Sequence, residues 1–154
     1  GENFTDLGND VWDEGEDFID QNGNEMVVVN RADGMGVSEI KKIGIEQIII
    51  STEKNKVVSA RARKLDIPCA QGIENKKNYL IDYCKKNNID IEKVAFVGND
   101  TNDKHAMRIS GITFSPSDAH PSIKAITDYV LKSKGGDGVV RELYDFLIEE
   151  RQID

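Results

Sequence analysis

The sequence predicts an α/β domain built on a doubly wound parallel sheet with helices on both faces. Three observations carry this. Short continuous apolar runs such as Gln47-Ile48-Ile49-Ile50 and Val94-Ala95-Phe96-Val97 suit strands covered on both sides. These runs alternate with longer segments whose apolar residues recur at helical spacing. The chain has 154 residues, 38 % hydrophobic and 31 % charged, which suits one globular domain over 1–154 with room for a real core.

The elements follow in order. A first strand is expected around Phe4, ending at Thr5-Asp6. A β-hairpin inserted after it, over about 16–30, is signalled by Gln21-Asn22-Gly23-Asn24 between two strand-like runs. Asp33 to Ile43 reads as a helix closed by Gly44, with Val37, Ile40 and Ile43 on one face. After the 47–50 strand, Thr52 can cap a helix with Val57, Val58, Ala60, Ala62 and Leu65 inward. Ile67 to Ala70 is a short strand, and Asn75 to Lys86 a helix with Tyr79, Leu80, Tyr83 and Cys84 inward. The strand Lys93 to Val97 precedes a helix Thr101 to Ile109 that stops at Gly111. Ile112 to Phe114, Ser122 to Ile126 and Tyr129 to Leu131 give strand, helix and strand. Val139 to Glu150 closes the chain as a helix with Val140, Leu143, Phe146 and Leu147 inward.

Charge is unevenly placed. The formal net charge is −8, and residues 1–30 hold nine of the 28 acids with no Lys or Arg. That balance argues against nucleic acid or an anionic membrane surface as partner and raises the question of a cation site. No apolar run approaches the roughly 20 residues of a membrane helix, and no signal-peptide core is present. Cys69 and Cys84 lack metal-ligand spacing and read as small buried hydrophobes of a reducing, cytoplasmic setting.

In an open parallel sheet, ligands bind at the carboxyl ends of the strands. Those ends carry Thr5-Asp6, Ser51-Thr52, Gln71-Gly72 with Lys76 a turn later, and Gly98-Asn99-Asp100-Thr101-Asn102-Asp103. A carboxylate, hydroxyls, an ammonium and an acid/amide cluster are the inventory of a magnesium-dependent phosphoryl-transfer site. Each residue also has a plainer reading. Asp6 suits an acidic loop, Ser51 a helix start, Lys76 a solvated helix face, and Asn99 and Asp103 a cap for the helix near Thr101. His105 and His120 have no ligand partners at useful spacing and read as surface or capping residues. Trp12 and Phe18 suit either local packing of the hairpin or a subunit contact.

These four segments, in this order, resemble the motifs of the haloacid dehalogenase superfamily. Gly23-Asn24-Glu25, Asn30-Arg31-Ala32-Asp33-Gly34-Met35-Gly36, Arg61-Ala62-Arg63-Lys64-Leu65 and Gly135-Gly136-Asp137-Gly138-Val139-Val140-Arg141-Glu142 are similar to its capless subfamily of 3-deoxy-D-manno-octulosonate 8-phosphate phosphatases. That subfamily includes phosphatases of sialic-acid-type 9-phosphates and the phosphatase-like domain of acylneuraminate cytidylyltransferases. The resemblance implies a capless Rossmann-like fold, Asp6 as nucleophile, and Ser51, Thr52 and Lys76 on the phosphate. It further implies Mg2+ held by Asp6, the Gly8 carbonyl, Asn99 and Asp103, with Asp33 and Arg141 facing substrate or a neighbouring subunit. Its partners would be a phosphorylated keto-sugar acid, other copies in a homotetramer, and a cytidylyltransferase domain.

The departures fall on the catalytic positions. The subfamily's first motif is D-x-D-G-V, where the second Asp protonates the leaving group; with Asp6 as nucleophile that position is Gly8. Aligned instead without a gap on Val11-Trp12 and Gly23-Asn24-Glu25, the register puts Leu7 at the nucleophile and Asn9 at the acid. The fourth motif has Asn99 where the subfamily has a metal-binding Asp, a neutral oxygen in place of a charged one. The expectation is therefore a catalytically impaired phosphatase-type domain with a weakened Mg2+ site, retained for oligomerisation or support. The alternative is a residual phosphohydrolase acting on keto-sugar-acid phosphates or acyl phosphates.

Overall fold

The computed structural model describes residues 18–19, 21–22, 24–26 and 29–153. The expected first strand and the residues Asp6, Gly8, Asn9 and Trp12 lie outside them. Antiparallel β1 (Phe18–Ile19) and β2 (Glu25–Met26) form the hairpin, pairing Phe18 with Met26 and Ile19 with Glu25. The chain continues through α1 (Arg31–Lys42), β3 (Ile49–Ile50), α2 (Lys56–Leu65), β4 (Cys69–Ala70) and α3 (Lys76–Lys86). It then forms β5 (Ala95–Val97), α4 (Lys104–Ile109), β6 (Ile112–Ser115), α5 (Pro121–Lys124), β7 (Tyr129–Val130) and α6 (Val139–Ile153).

The parallel α/β class is as the sequence predicts. β3 pairs parallel with β4, and β5, β6 and β7 pair parallel in that order. Among the described residues no ladder joins β3 to β5. Between their edges lies an apolar cavity of about 560 Å³, lined by Ile48, Ile50, Leu80, Phe96 and Val97, with Lys76 and Asp103 also on its wall.

Several boundaries differ from expectation, each for a local reason. Thr52 does not cap α2; Asn55 does, its side chain accepting the Val57 N–H, so 51–55 is a loop. α1 begins two residues early because Asn30 accepts the Ala32 N–H. The helix expected from Thr101 opens as a 3₁₀ turn, Thr101–Asp103, before α4. On α2, Val58 and Ala62 are buried as expected, while Ala60 is exposed. No helix among the described residues is long and apolar enough to cross a membrane.

The core falls on two sides of the strands. Val37 and Ile40 of α1 meet Phe114, Leu131 and the α6 residues Val139, Val140 and Leu143. Leu80 and Cys84 of α3 meet Phe96, Ala106, Met107 and Ile123. At the α1–α6 junction the two backbones approach closely. A Cβ on Gly36 would lie 2.5 Å from the Val140 carbonyl carbon and 2.6 Å from the Arg141 nitrogen. Asp33, one turn earlier, sends both carboxylate oxygens to the start of α6: Gly138 N–H donates at 3.1 Å and Val140 N–H at 2.9 Å. A carboxylate there satisfies helix-terminal donors and complements the positive end of the helix dipole.

Gly36→Ala is expected to cost about 2 kcal/mol or more, at the upper end of overpacking effects, because both offended atoms are backbone. Gly34→Ala, whose Cβ would rest in ordinary contact at 3.6 Å from Leu65, should be neutral or stabilising by up to about 1 kcal/mol. Urea unfolding of the two variants side by side checks the contrast.

Candidate active site

The carboxyl ends of β3, β4 and β5 carry the residues singled out from the sequence. Ser51 is fully buried at the end of β3; its N–H donates to Ala70 O at 2.9 Å and its Oγ accepts the Glu53 N–H at 3.1 Å. Thr52 Oγ1 accepts from Asn102 Nδ2 at 3.3 Å, which links the loop after β3 to the turn after β5. Gln71, just past β4, holds the 51–55 loop from the other side: its Nε2 donates to Asn55 O at 2.6 Å and to Glu53 O at 3.3 Å.

The centre of the arrangement is a buried ion pair. Lys76, the first residue of α3, is 3 % exposed, and Asp103 is 1 % exposed. Lys76 Nζ donates to Asp103 Oδ1 at 2.8 Å. The other oxygen, Oδ2, accepts the N–H groups of Asn99 at 3.0 Å and Asp100 at 3.3 Å. Asp103 and Asp100 thus form a reciprocal capping box around the 3₁₀ turn. Gly98 is required here, since a Cβ would lie 2.6 Å from Met107 Sδ and 2.8 Å from Asp103 Cβ. The Lys76 reading as a solvated helix lysine is thereby excluded.

Asn99, expected as a cation ligand, lies in the same turn. Its Oδ1 is buried and has no hydrogen-bond partner among the described residues, while its carbonyl accepts the His120 N–H at 2.8 Å. A buried polar oxygen left unpaired is costly and marks a position prepared for an unseen donor or ion. Asp103, expected as a metal ligand, accepts from Lys76 on one oxygen and from the turn backbone on the other. Among the described residues no three His, Cys, Asp or Glu side chains gather into a metal cluster.

Asp33, expected to face substrate or a neighbouring subunit, points into the α1–α6 junction. It is 1 % exposed and bound to the start of α6, because helix-terminal N–H groups at that depth need an acceptor. Arg141 lies along the outer side of α6, its guanidinium 5.9 Å from the Tyr144 ring centroid and its Nε 4.0 Å from Asp145 Oδ1. His120 caps α5, accepting the Ser122 N–H on Nδ1 at 3.1 Å, as the capping reading expects.

A second concavity, of about 420 Å³, opens between α1 and α2 and is lined by Asn30, Arg31, Ser38, Arg61 and Lys64 without an acid. Sequence reasoning did not assign it. The i,i+3 spacing of Arg61 and Lys64, which places both on one helix face, is the signal that points to it.

The family follows from comparison with known proteins. The model of the haloacid dehalogenase-like hydrolases matches residues 37–143, which includes the Ser51 loop, Lys76 and the Gly98–Asp103 turn. The chain belongs to this family. The haloacid dehalogenase-like chain is 36 % identical over 139 residues to the 3-deoxy-D-manno-octulosonate 8-phosphate phosphatase KdsC of Escherichia coli K12, covering 90 % of this chain and 74 % of that protein. It superposes with a TM-score of 0.86 and 28 % identity on the corresponding Moraxella catarrhalis phosphatase, solved with magnesium, phosphate and KDO; 92 % of this chain and 82 % of that one are covered. The cobalt-bound Haemophilus influenzae phosphatase matches with a TM-score of 0.81 and 26 % identity, over 86 % of this chain and 78 % of that one.

Two predictions follow from the site. Lys76→Met strands a buried carboxylate and should destabilise the haloacid dehalogenase-like chain by about 3–5 kcal/mol, whereas Lys76→Met with Asp103→Leu should recover a large part of that loss. A double-mutant cycle by denaturant unfolding measures this. Asp33 titrates above its ordinary value of 3.8, chiefly because burial opposes its charge, with the Val140 and Gly138 N–H groups and Arg61 offsetting part. A raised folded-state value means its contribution is fully present below the unfolded pKa and is lost as pH rises through the folded one. Asp33→Asn, which removes one acceptor, should cost about 1–3 kcal/mol near neutrality. The gap to the unsubstituted protein should widen as pH falls toward about 4. Unfolding curves across that range check the sign.

Proposed function

We propose that this chain is a phosphatase-type domain of the keto-sugar-acid class whose turnover is impaired, and that it serves chiefly in oligomerisation or in support of an acylneuraminate cytidylyltransferase. The observation that carries the reading is Asn99, a neutral amide whose buried Oδ1 has no hydrogen-bond partner among the described residues, at the turn that the Lys76–Asp103 pair holds. The named relatives, phosphatases of 3-deoxy-D-manno-octulosonate 8-phosphate, support a phosphorylated keto-sugar acid as the substrate class; the 9-phosphate alternative comes from the sequence resemblance alone.

The chain's own residues divide the work. Ser51 and Thr52 present hydroxyls to the phosphate oxygens, and Lys76 supplies positive charge to them while Asp103 holds its ammonium in place. Asp6 is the nucleophile in this reading, its carboxylate attacking phosphorus to form an aspartyl phosphate that water then hydrolyses. In this reading a Mg2+ ion would be held by Asn99 and Asp103 together with the Asp6 carboxylate and the Gly8 carbonyl, the set that the resemblance implies, and the buried Asn99 Oδ1, without a hydrogen-bond partner among the described residues, supports it. When bound, the ion neutralises charge on the phosphoryl oxygens. Impairment follows from two side chains. Gly8 has no proton for the departing sugar oxygen, a loss of about 10²–10⁴-fold, and Asn99 holds the cation with one negative charge fewer than an Asp. The same reading places the protein in a reducing cytoplasmic setting as a homotetramer whose contacts run through the hairpin.

The residual phosphohydrolase remains the second reading, favoured by the retained Lys76–Asp103 pair itself. It would suit acyl phosphates, whose leaving group needs no proton. A magnesium-dependent assay on 8- and 9-phosphorylated keto-sugar acids separates the two. The impaired-domain reading expects turnover well below about 1 s⁻¹, the low end of ordinary enzymes, with a stable tetramer by light scattering. Turnover above that level, abolished by Asp6→Asn, would overturn it.

A further inference from the structure

Gln71 sits where two neighbouring strands end, and its side-chain amide is spent on backbone. Nε2 donates to Asn55 O at 2.6 Å and to Glu53 O at 3.3 Å. The adjoining backbone adds to the same latch: Gly72 N–H donates to Glu53 O at 3.0 Å and Ile73 N–H to Ser51 O at 2.9 Å. The loop so held is the one that carries Ser51 and Thr52. Its two sides face different neighbours. Thr52 Oγ1 meets Asn102 of the turn after β5, whereas the carbonyls of Glu53 and Asn55 meet Gln71 on the β4 side. Since β3 pairs with β4, Gln71 ties these carbonyls toward the β4 side of the loop.

We propose that Gln71 is a positioning residue for phosphate binding: by anchoring the Glu53 and Asn55 carbonyls toward β4, it keeps their negative ends off the anion and holds the Ser51-Thr52 hydroxyls in register. Carbonyl oxygens turned toward a phosphate repel it, and in a water-poor pocket that repulsion is poorly screened. A loop whose carbonyls are tied back presents its donors without reorganisation when the anion arrives. Glu53 helps from within the loop, its Oε1 accepting the Lys54 and Asn55 N–H groups at 2.9 and 3.1 Å, so the segment is closed on itself once Gln71 holds its outer side. The inference rests on the phosphate-site reading above and assigns Gln71 no contact with the substrate.

Gln71→Met keeps length and bulk but cannot donate; Gln71→Glu keeps shape and sets a carboxylate against two carbonyls. Inorganic phosphate with Mg2+ is the probe, titrated by calorimetry against the unsubstituted protein and both variants. Met is expected to weaken phosphate about tenfold, the scale of one hydrogen bond, and Glu to weaken it further, with the thermal midpoint of the Met variant nearly unchanged. Phosphate affinity unaltered in the Met variant, or lost only in proportion to thermal stability, would overturn the proposal. Hydrogen exchange at the Lys54 and Asn55 amides reads the tether without any ligand. Faster exchange in the Met variant supports it and unchanged exchange overturns it. Absence of phosphate binding by the unsubstituted protein would instead count against the phosphatase-type reading, and the exchange result still decides whether Gln71 holds the loop.

Discussion

The buried pair between Lys76 and Asp103 is the contact on which the site and much of the fold converge. Lys76 opens α3, after the β3–β4 pair, and Asp103 closes the turn after β5, so one ion pair ties together two groups of strands that no ladder joins among the described residues. Burying both charges is expensive, and the geometry repays it only because the remaining lone pairs are used. Asp103 does this with its second oxygen, which takes the N–H groups of Asn99 and Asp100. The carboxylate that holds Lys76 therefore also shapes the turn that aims Asn99.

The rim is built from similar devices, polar side chains spent on backbone. Asp33 satisfies the first donors of α6. Glu142 accepts the Lys132 and Ser133 N–H groups, and Asp118 that of Gly135, so the glycine-rich approach to α6 is held at both ends by carboxylates. Gly36 admits α6 close enough for Asp33 to reach it. Many acids that look like candidate ligands in the sequence are thus committed to holding loops.

How much was legible beforehand depended on the kind of signal. Apolar periodicity located α1, α3, α6 and the parallel strands, because burial of a continuous face is written in residue order. Boundaries slipped where capping decides, as at Asn55, since Thr52 and Asn55 are both competent caps and only the path of the loop selects one. At the site, Ser51, Lys76, Asn99 and Asp103 were found from their positions after apolar runs. Gln71, Asn102 and the Arg61–Lys64 face were not assigned, because their partners lie far away in sequence.

By itself, then, the sequence determined the α/β class, the order of motifs and the chemical inventory of the rim, all of which depend on residue type and spacing along one dimension. It also exposed the departures at Gly8 and Asn99, which are matters of identity alone. Only the tertiary structure decided what each polar group is used for. It turned Asp33 inward to α6, made Asp103 the anchor of Lys76, and left Asn99 Oδ1 without a partner among the described residues. The physical reason is that a carboxylate's role is set by the donors within hydrogen-bond reach, and those donors are brought there by folding.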